Sequence, residues 1–280
     1  MYSNCSDREQ KRKIVNVRIR MKISIITVVF NQEQYIRDAI ESVLGQDYSD
    51  IEYILIDGGS QDGTMDIVRA YGNRISVVVS EKDKGLYDAL NKGIRLATGD
   101  YVGLVHSDDM LYDGHVIGRI VEEVERTHCD VLYGNGVYVP PFQLDRQVRN
   151  WMGGTYTKRK MRWGWLPLHT TVYVKRELYL RHGVFDASYK IAGDTELLVR
   201  YFYLLDLNIA YLDEYIIRMR LGGKSTSFAN SVEKWKEDWK LYRQYKLPPY
   251  ALPCKVIRKV PQYIRQKDFY TYLIHKFIKR

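Results

Sequence analysis

Two adjacent carboxylates, Asp108 and Asp109, follow an apolar run, Tyr101 to Val105, that is typical of a short buried strand. Like charges at the end of a strand repel each other, and a nearby cation would remove this penalty. Their oxygens suit a hard divalent ion such as Mg²⁺ or Mn²⁺, which proteins commonly share with the phosphates of a substrate. An acidic turn before a helix is the alternative, and the pair taken alone favours that alternative.

Chemically useful residues also follow or precede other predicted elements. Phe30 comes after the first predicted strand, and Asp57 comes after the second, at the start of the glycine-rich stretch 57–64. The carboxylate of Asp57 could accept a hydrogen bond from a nucleobase or a ribose hydroxyl, although the glycines fit a plain strand-to-helix turn equally well. Lys84 precedes a predicted helix, where it could contact a phosphate. A solvated lysine is the alternative there.

The elements that must position these residues alternate between strand and helix patterns. Predicted strands cover 22–29, 51–56, 75–79, 101–105 and 131–133, and predicted helices cover 32–44, 64–70, 86–97 and 115–127. This alternation predicts an α/β fold, with a mainly parallel sheet flanked by helices. Ligands of such sheets bind outside the carboxyl ends of the strands. The strand-end residues should therefore converge, and together they could hold a nucleoside diphosphate.

Residues 140–168 interrupt the alternation with prolines, glycines and tryptophans, and we expect an irregular connection there. Trp163 and Trp165 could stack on a sugar ring or anchor this connection by hydrophobic contacts. His169 could approach a metal or an acceptor, and a packed histidine is the alternative. Further short elements are predicted after it, with strands at 170–174, 208–212 and 215–219, helices at 176–181 and 195–205, and a polar loop at 222–227.

The composition limits the possible partners and compartments. A net charge of +9 in 280 residues favours an anionic partner, which could be nucleic acid, a phospholipid surface or a phosphorylated substrate. Three widely spaced cysteines show no metal-ligand spacing and predict a reducing compartment. No run approaches the roughly 18 apolar residues of a membrane span, and the charged N-terminus does not resemble a secretory signal.

Five segments, in this order, resemble the family 2 glycosyltransferases, which have the GT-A nucleotide-sugar fold. The segments are ISIITVVFN (23–31), YILIDGGSQDGT (53–64), DKGLYDALNKG (83–93), ATGDYVGLVHSDD (97–109) and AGDTELLVR (192–200). The resemblance implies a domain at 21–220, with a nucleotide-binding half at 21–110 and an acceptor-binding half at 111–220. It also implies a metal-dependent, inverting hexosyltransferase that moves a sugar from a nucleotide-sugar donor, UDP-sugar favoured, to a saccharide or lipid-linked acceptor in surface glycan synthesis.

The resemblance implies roles for the residues on the donor side. Asp109 is expected to be the direct ligand of Mn²⁺ or Mg²⁺ on the diphosphate, and Asp108 is expected to face the ribose or the donor sugar. Asp57 is expected beside the nucleobase. Gly58 stands where these enzymes carry a second acid that reads uracil, so this position leaves the identity of the base open. Phe30 replaces the more usual tyrosine near the base.

On the acceptor side, the resemblance makes Asp194 the general base that takes the proton of the acceptor hydroxyl, a step typically contributing ~10²–10⁴-fold. A cap for the helix predicted at 195–205 is the alternative, and it is compatible with catalysis. Gly193 stands where a glutamate often precedes the base. Glu196 could support Asp194 or face solvent.

The two ends of the chain are predicted to lie outside this domain. Residues 1–20 form a basic tail, unless the chain begins at Met21, and residues 221–280 form a basic, aromatic, mostly helical extension. The stretch 232–280 suits an anionic membrane surface, nucleic acid, or a helical pair that packs on the core. The resemblance favours a cytoplasmic enzyme, peripheral at the inner face of the plasma membrane and without a nucleic-acid partner. A polyprenyl-phosphate glycosyltransferase and, ranked lower, a non-enzymatic nucleic-acid-binding module are the alternatives.

Overall fold

The predicted alternation of strands and helices is present in the computed structural model, which describes residues 20–222 and 231–258. The strands are β1 (Ile23–Val29), β2 (Ile51–Asp57), β3 (Val77–Ser80), β4 (Tyr101–Leu104), β5 (Met110–Leu111), β6 (Val131–Val139), β7 (Arg149–Trp151), β8 (Tyr173–Lys175) and β9 (Ile209–Arg220). The helices are α1 (Ile36–Leu44), α2 (Thr64–Arg69), α3 (Leu86–Leu96), α4 (Val116–Thr127), α5 (Lys158–Arg162), α6 (Arg176–His182), α7 (Gly193–Val199), α8 (Ser231–Gln244) and α9 (Ala251–Ile257). The predicted N-terminal tail except its last residue, most of the loop at 222–227, and residues 259–280 of the predicted extension lie outside the described residues.

The strands form a single nine-stranded sheet in the order β3-β2-β1-β4-β8-β6-β9-β5, with β7 paired to β6. The four strands β3, β2, β1 and β4 are mutually parallel, whereas β8 runs antiparallel between β4 and β6. Val29 pairs with Asp57, which in turn pairs with Ser80. This register aligns the carboxyl ends of β1, β2 and β3, where the strand-end residues predicted from the sequence lie.

Residues of β1 alternate between the two faces of the sheet. Ile26 and Val28 lie in the hydrophobic cluster that includes α3, whereas Ile25 and Val29 lie in the cluster that includes α1 and α4. Because helices cover both faces, all seven residues of β1 are buried. This arrangement explains the β-branched run in the sequence, since a strand buried on both sides does not need a polar face.

The second half of the sheet differs from its prediction in strand length. The predicted strand at 131–133 extends to Val139, and the two strands predicted at 208–212 and 215–219 are a single strand, β9. These strands pair in parallel along most of their length, with register irregularities between Tyr133 and Gly136. The predicted irregular connection at 140–168 contains β7 and α5, and the helix predicted at 195–205 is α7 followed by a π-helical turn.

The described part of the C-terminal extension packs on the domain. Leu241, Tyr242 and Leu247, at the end of α8 and just after it, and Ala251 and Leu252 of α9 are buried in the same hydrophobic cluster as α3 and α7. These helices therefore correspond to the third possibility raised from the sequence, a helical pair on the core. Within residues 20–222 and 231–258, no helix is both long and apolar enough to cross a lipid bilayer.

Candidate active site

The carboxylate of Asp57 is fully buried and is used inside its own turn. Its oxygens accept hydrogen bonds from the hydroxyl of Ser60 (2.6 Å), the hydroxyl of Ser80 (2.7 Å) and the backbone N–H groups of Gly59 and Ser60. These bonds hold the glycine-rich turn at the end of β2. The structure thus gives Asp57 a role in shaping the turn, while its direct contact with a nucleobase stays a prediction.

The missing side chain at Gly58 leaves room for another carboxylate. A Cβ atom built at Gly58 would come within 2.6 Å of Asp83 Oδ2 and 3.5 Å of the ring of Phe30. Phe30 is half exposed, so an aromatic surface and a carboxylate lie side by side where the family motif has its second acid. Sequence reasoning missed Asp83, although it sits in a matching segment next to Lys84. The exposed Lys84 precedes α3, and its backbone N–H donates to Asp88 (3.0 Å).

The two acids after β4 have different environments. Asp109 is buried, and it accepts a hydrogen bond from the backbone N–H of Arg220 at 3.3 Å. Burial, together with the adjacent charge of Asp108, raises the pKa of Asp109 well above its usual range. Asp108 is only half-buried. The acid expected to bind the metal directly is therefore the more enclosed of the two.

Arg220, which sequence reasoning missed, holds this acidic turn from β9. Its guanidinium donates to the backbone carbonyls of Asp108 (2.9 Å) and Pro141 (3.0 Å) and forms an ion pair with Asp38 of α1. The arginine is only 5% exposed. The signal in the sequence was weak, because Arg220 lies just beyond the strand predicted at 215–219 and more than 100 residues from the acids that it holds.

Two histidines connect the acidic turn to the predicted base. His106 Nε2 lies 3.1 Å from His169 Nε2, and His169 Nδ1 lies 3.5 Å from Asp194 Oδ2. Burial lowers the pKa of both rings, to about 4 for His169, against the opposing pull of the Asp194 carboxylate. Both imidazoles are therefore neutral at pH 7. Sequence reasoning identified His169 but missed His106, which lies inside the HSDD stretch.

Asp194 lies in the first turn of α7. The helix begins at Gly193, so Asp194 is not at the cap position that the sequence allowed as an alternative. Its Oδ1 accepts the backbone N–H of Thr195 (2.8 Å). Burial by itself would raise the pKa of Asp194, but His169, the cations of Lys234 and Lys255 and the Thr195 N–H together hold it below its usual value. The carboxylate is thus ionised at neutral pH, as a general base must be.

Tyr87 of α3 holds the backbone around Asp194. Its hydroxyl accepts the N–H of Asp194 (3.2 Å) and donates to the carbonyl of Ile191 (2.8 Å). A Cβ atom at Gly193 would come within 2.7 Å of the Tyr87 ring. The glycine that replaces the family's glutamate is therefore required by the close approach of this tyrosine.

The remaining predicted site residues make contacts within the protein. Glu196 is buried and pairs with Arg200 (2.9 Å), so it does not face solvent. The indole of Trp165 is buried and donates to the carbonyl of Gly153 (3.0 Å), as the anchoring alternative predicts. Trp163 is half exposed and contacts the ring of Tyr250, with 4.9 Å between centroids. Its stacking on a sugar stays a prediction.

A metal at this site would need ligands from outside the protein. In the described part of the chain, no group of three or more His, Cys, Asp or Glu side chains could hold an ion. The acidic turn offers the carboxylates of Asp108 and Asp109. One or two carboxylates completed by substrate phosphates and water are the usual way in which proteins bind Mg²⁺, so the turn fits a metal that arrives with a diphosphate.

Comparison with known sequences identifies the family. Residues 24–187, well over half of the chain, match the family model described as glycosyl transferase family 2. The chain belongs to this family. Membership favours a glycosyltransferase over the nucleic-acid-binding module.

Two relatives illustrate the match. The chain is 27% identical over 184 residues to a PGL/p-HBAD biosynthesis glycosyltransferase of Mycobacterium bovis, covering 64% of this chain and 69% of that protein. It is 30% identical over 230 residues to an uncharacterized glycosyltransferase of Rickettsia typhi, covering 78% and 70%.

Solved structures share the GT-A fold of this family 2 glycosyltransferase. S. aureus TarS, residues 1–349 in complex with UDP, superimposes with a TM-score of 0.64 at 22% identity, covering 80% of this chain and 65% of that one. Against the longer TarS structure, the match covers only 39% of that chain. The mannosyltransferase PcManGT of Pyrobaculum calidifontis, in complex with GDP-Man and Mn²⁺, gives a TM-score of 0.56 at 17% identity, covering 84% and 68%.

Proposed function

We propose that this family 2 glycosyltransferase transfers a sugar, with inversion, from a nucleotide-sugar to a hydroxyl of a saccharide acceptor, free or lipid-linked, in surface glycan synthesis. The observation that carries the proposal is the ionised, enclosed carboxylate of Asp194, connected through His169 and His106 to the acidic turn. In this arrangement Asp194 would act as the base on one side and the acidic turn would face the diphosphate on the other, as a single displacement requires.

The donor would bind across the carboxyl ends of β1, β2 and β4. Phe30 would face the nucleobase, and Asp83, in the space above Gly58, would accept a hydrogen bond from a base N–H. Asp57 would keep the turn in shape, and Lys84 would approach a phosphate. We favour a UDP-sugar, because TarS has been solved with both UDP and UDP-GlcNAc. The complex of PcManGT with GDP-Man keeps GDP-sugars in the test.

Mn²⁺ or Mg²⁺ would be held by the acidic turn. When bound, it would neutralise the charge that develops on the leaving diphosphate. The burial of Asp109 and its bond to the Arg220 backbone favour Asp108 as the carboxylate nearer to the ion. Asp109 would then support the acidic turn through its hydrogen bond to the Arg220 backbone. These roles differ from those expected from the family resemblance.

Asp194 would take the proton from the acceptor hydroxyl as this oxygen attacks the anomeric carbon. The neutral imidazole of His169 would orient Asp194 without protonating it, by donating its Nδ1–H once the two groups close from their separation of 3.5 Å. His106 would fix the tautomer of His169 by donating from its own Nε2. The chain of residues would thus hold the base in one protonation state and one orientation.

Donor binding and the base can be tested separately. A thermal-shift panel of UDP-, GDP-, CDP- and dTDP-sugars, with and without MnCl2, should show stabilisation by one nucleotide class. Asp194→Asn should lower kcat by ~10²–10⁴-fold and leave the thermal shift unchanged. Asp206→Asn, which alters an exposed carboxylate, should change neither.

Two results would contradict the proposal. The absence of a shift with any nucleotide and metal would argue against a nucleotide-sugar enzyme. Unchanged transfer in Asp194→Asn would favour the polyprenyl-phosphate acceptor, because that acceptor is already anionic and needs less help from a base.

A further inference from the structure

Glu237 of α8 binds three consecutive backbone amides. Its Oε1 accepts the N–H of Lys190 (2.7 Å), and its Oε2 accepts the N–H groups of Ile191 (2.9 Å) and Ala192 (2.8 Å). Hydrogen bonds from N–H groups to an ionised carboxylate are stronger than neutral ones. These three bonds, here called the Glu237 contact, join the C-terminal helices to residues 190–192.

Residues 190–192 lead directly into Asp194. The carbonyl of Ala192 accepts the N–H of Glu196 (2.9 Å) and so begins the hydrogen bonds of α7. On its other side, this segment is held by the Tyr87 hydroxyl, which bonds to the Ile191 carbonyl. The backbone before the base is therefore fixed between α3, from the donor half of the domain, and α8, from the C-terminal helical pair.

Two further contacts from the C-terminal helices reach the residues beside Asp194. Lys255 of α9 forms a buried pair with Asp238 of α8 (2.9 Å), and its Nζ lies 3.4 Å from the hydroxyl of Thr195. Tyr245, just after α8, donates its hydroxyl to Glu196. The positive charges of Lys234 and Lys255 also favour the ionised form of Asp194, in agreement with the lowered pKa of this acid.

We propose that Glu237 is a positioning residue for the base, and that α8 and α9 are part of the catalytic unit rather than an appendage to it. This inference rests on the proposed role of Asp194. A general base must lie within hydrogen-bond reach of the proton that it removes, and a shift of about 1 Å in a reacting group can cost ~10²-fold in rate. Three bonds to the preceding backbone segment restrict such a shift.

The test compares Glu237→Gln with Glu233→Gln, which makes the same change of charge one turn earlier at an exposed position. A glutamine amide replaces one acceptor oxygen with a donor, so it cannot bind all three N–H groups. We expect hydrogen exchange, measured by mass spectrometry on the full chain, to become faster at the amides of 190–192 in Glu237→Gln alone.

The kinetic readout is nucleoside diphosphate release from UDP-GlcNAc in MnCl2, with water as acceptor. Glu237→Gln should lower kcat roughly 10- to 100-fold and change the donor KM by less than about 3-fold. A residue that only stabilised the fold would lower the melting temperature and leave kcat per folded molecule intact. That result would overturn the proposal.

Asp194→Asn separates this inference from the proposed function. If Asp194→Asn loses activity while Glu237→Gln retains it, the Glu237 contact does not position the base and only this inference fails. If both variants retain activity, the proposed role of Asp194 itself fails. Glu237→Asp, which keeps the charge but shortens the reach, serves as the second variant. Loss of folding in both Glu237 variants would make Glu237 a stability residue and would also contradict the inference.

Discussion

The properties of Asp194 come from side chains that lie far apart in the chain. His169 approaches its carboxylate at 3.5 Å, Tyr87 accepts its backbone N–H, and Lys255 lies beside the neighbouring Thr195. An isolated aspartate enclosed to this extent would become harder to ionise. Here the surrounding donors and cations reverse that effect, so the carboxylate of the proposed base stays charged.

Gly193→Ala tests the close packing of Tyr87 beside the base. The new methyl group would overlap the tyrosine ring, so we expect the ring to move and its two hydrogen bonds to weaken. Overpacking should lower the free energy of unfolding by ~1–3 kcal/mol, and kcat should fall roughly 10- to 100-fold. Gly118→Ala, whose nearest neighbour would lie at 3.4 Å, is the control. Equal activity of the two variants would show that Tyr87 does not position Asp194.

The lowered pKa of His169 predicts how the free energy of unfolding depends on pH. This pKa is about 4 in the folded protein and about 6.5 when unfolded. Between these values the unfolded chain binds a proton that the folded chain does not, so stability rises with pH across this window. We expect the free energy of unfolding to fall by up to about 3 kcal/mol as pH drops from 6.5 to 4. His169→Gln should flatten this slope, whereas the exposed His182→Gln should not. An unchanged slope in His169→Gln would contradict the assignment.

At the scale of elements, the two ends of the parallel strands carry different sets of polar residues. The carboxyl ends of β2 and β4 carry Asp57 and the acidic turn, while the amino end of β2 carries a buried polar cluster. In that cluster, Glu52 accepts hydrogen bonds from Ser24 (2.6 Å), Thr98 (2.7 Å to its N–H) and Lys22 (3.1 Å). The carboxyl ends of the strands thus carry the proposed donor site, and the amino end of β2 is fixed by internal hydrogen bonds.

Glu52→Gln tests the fixed end. Burial would raise the pKa of Glu52, but its hydrogen bonds outweigh burial and lower the pKa to about 2. The stabilisation from this group is present above pH 4.5 and is lost as pH falls towards 2. The variant should lose ~1–3 kcal/mol of unfolding free energy at pH 7, because the amide cannot accept all of these bonds. It should also lose this part of the acid dependence and leave donor KM unchanged. Glu122→Gln, at an exposed position, is the control, and equal stability of both variants would refute the role of the cluster.

At the scale of the whole molecule, positive charge and exposed aromatic rings occur together in the C-terminal helices. Residues 231–258 carry seven lysines and arginines against three acidic residues, and Trp235 and Trp239 of α8 are each about half exposed. Since α8 also carries Glu237, the helix that presents these tryptophans is the one that contacts the backbone before Asp194. Membrane contact through this region stays a prediction.

Binding to vesicles tests this prediction. We expect the full chain to sediment with vesicles that contain phosphatidylglycerol, and the binding to weaken as salt is raised, because its electrostatic part is screened. Trp235→Ala and Trp239→Ala should weaken the binding, since indole rings favour the membrane interface. Phe142→Ala, which removes an exposed ring from the connection after β6, should not. Equal sedimentation with neutral vesicles, or none at all, would argue against an anionic membrane partner.

The family resemblance singled out Asp194. Local sequence patterns determined the α/β alternation, the positions of the strand ends and the strand-end acids Asp57 and Asp108. These features follow from burial periodicity and turn chemistry, which act over a few residues. Local patterns were less informative where strands pair over long distances. The long pairing of β6 with β9 could not be predicted, because the pairing partner rather than the residue pattern sets its length.

Only the tertiary structure decided which partners each acid has. In the folded protein, Asp109 accepts a hydrogen bond from the backbone of Arg220, and Asp57 is hydrogen-bonded within its own turn. His106 contacts His169 through their Nε2 atoms. The fold also brings Glu237 to residues 190–192, across more than 40 positions of the chain. Each of these contacts depends on which surfaces meet after the sheet and helices have packed. The sequence alone is therefore compatible with several sets of contacts for these residues, and the packing of the fold determines which set forms.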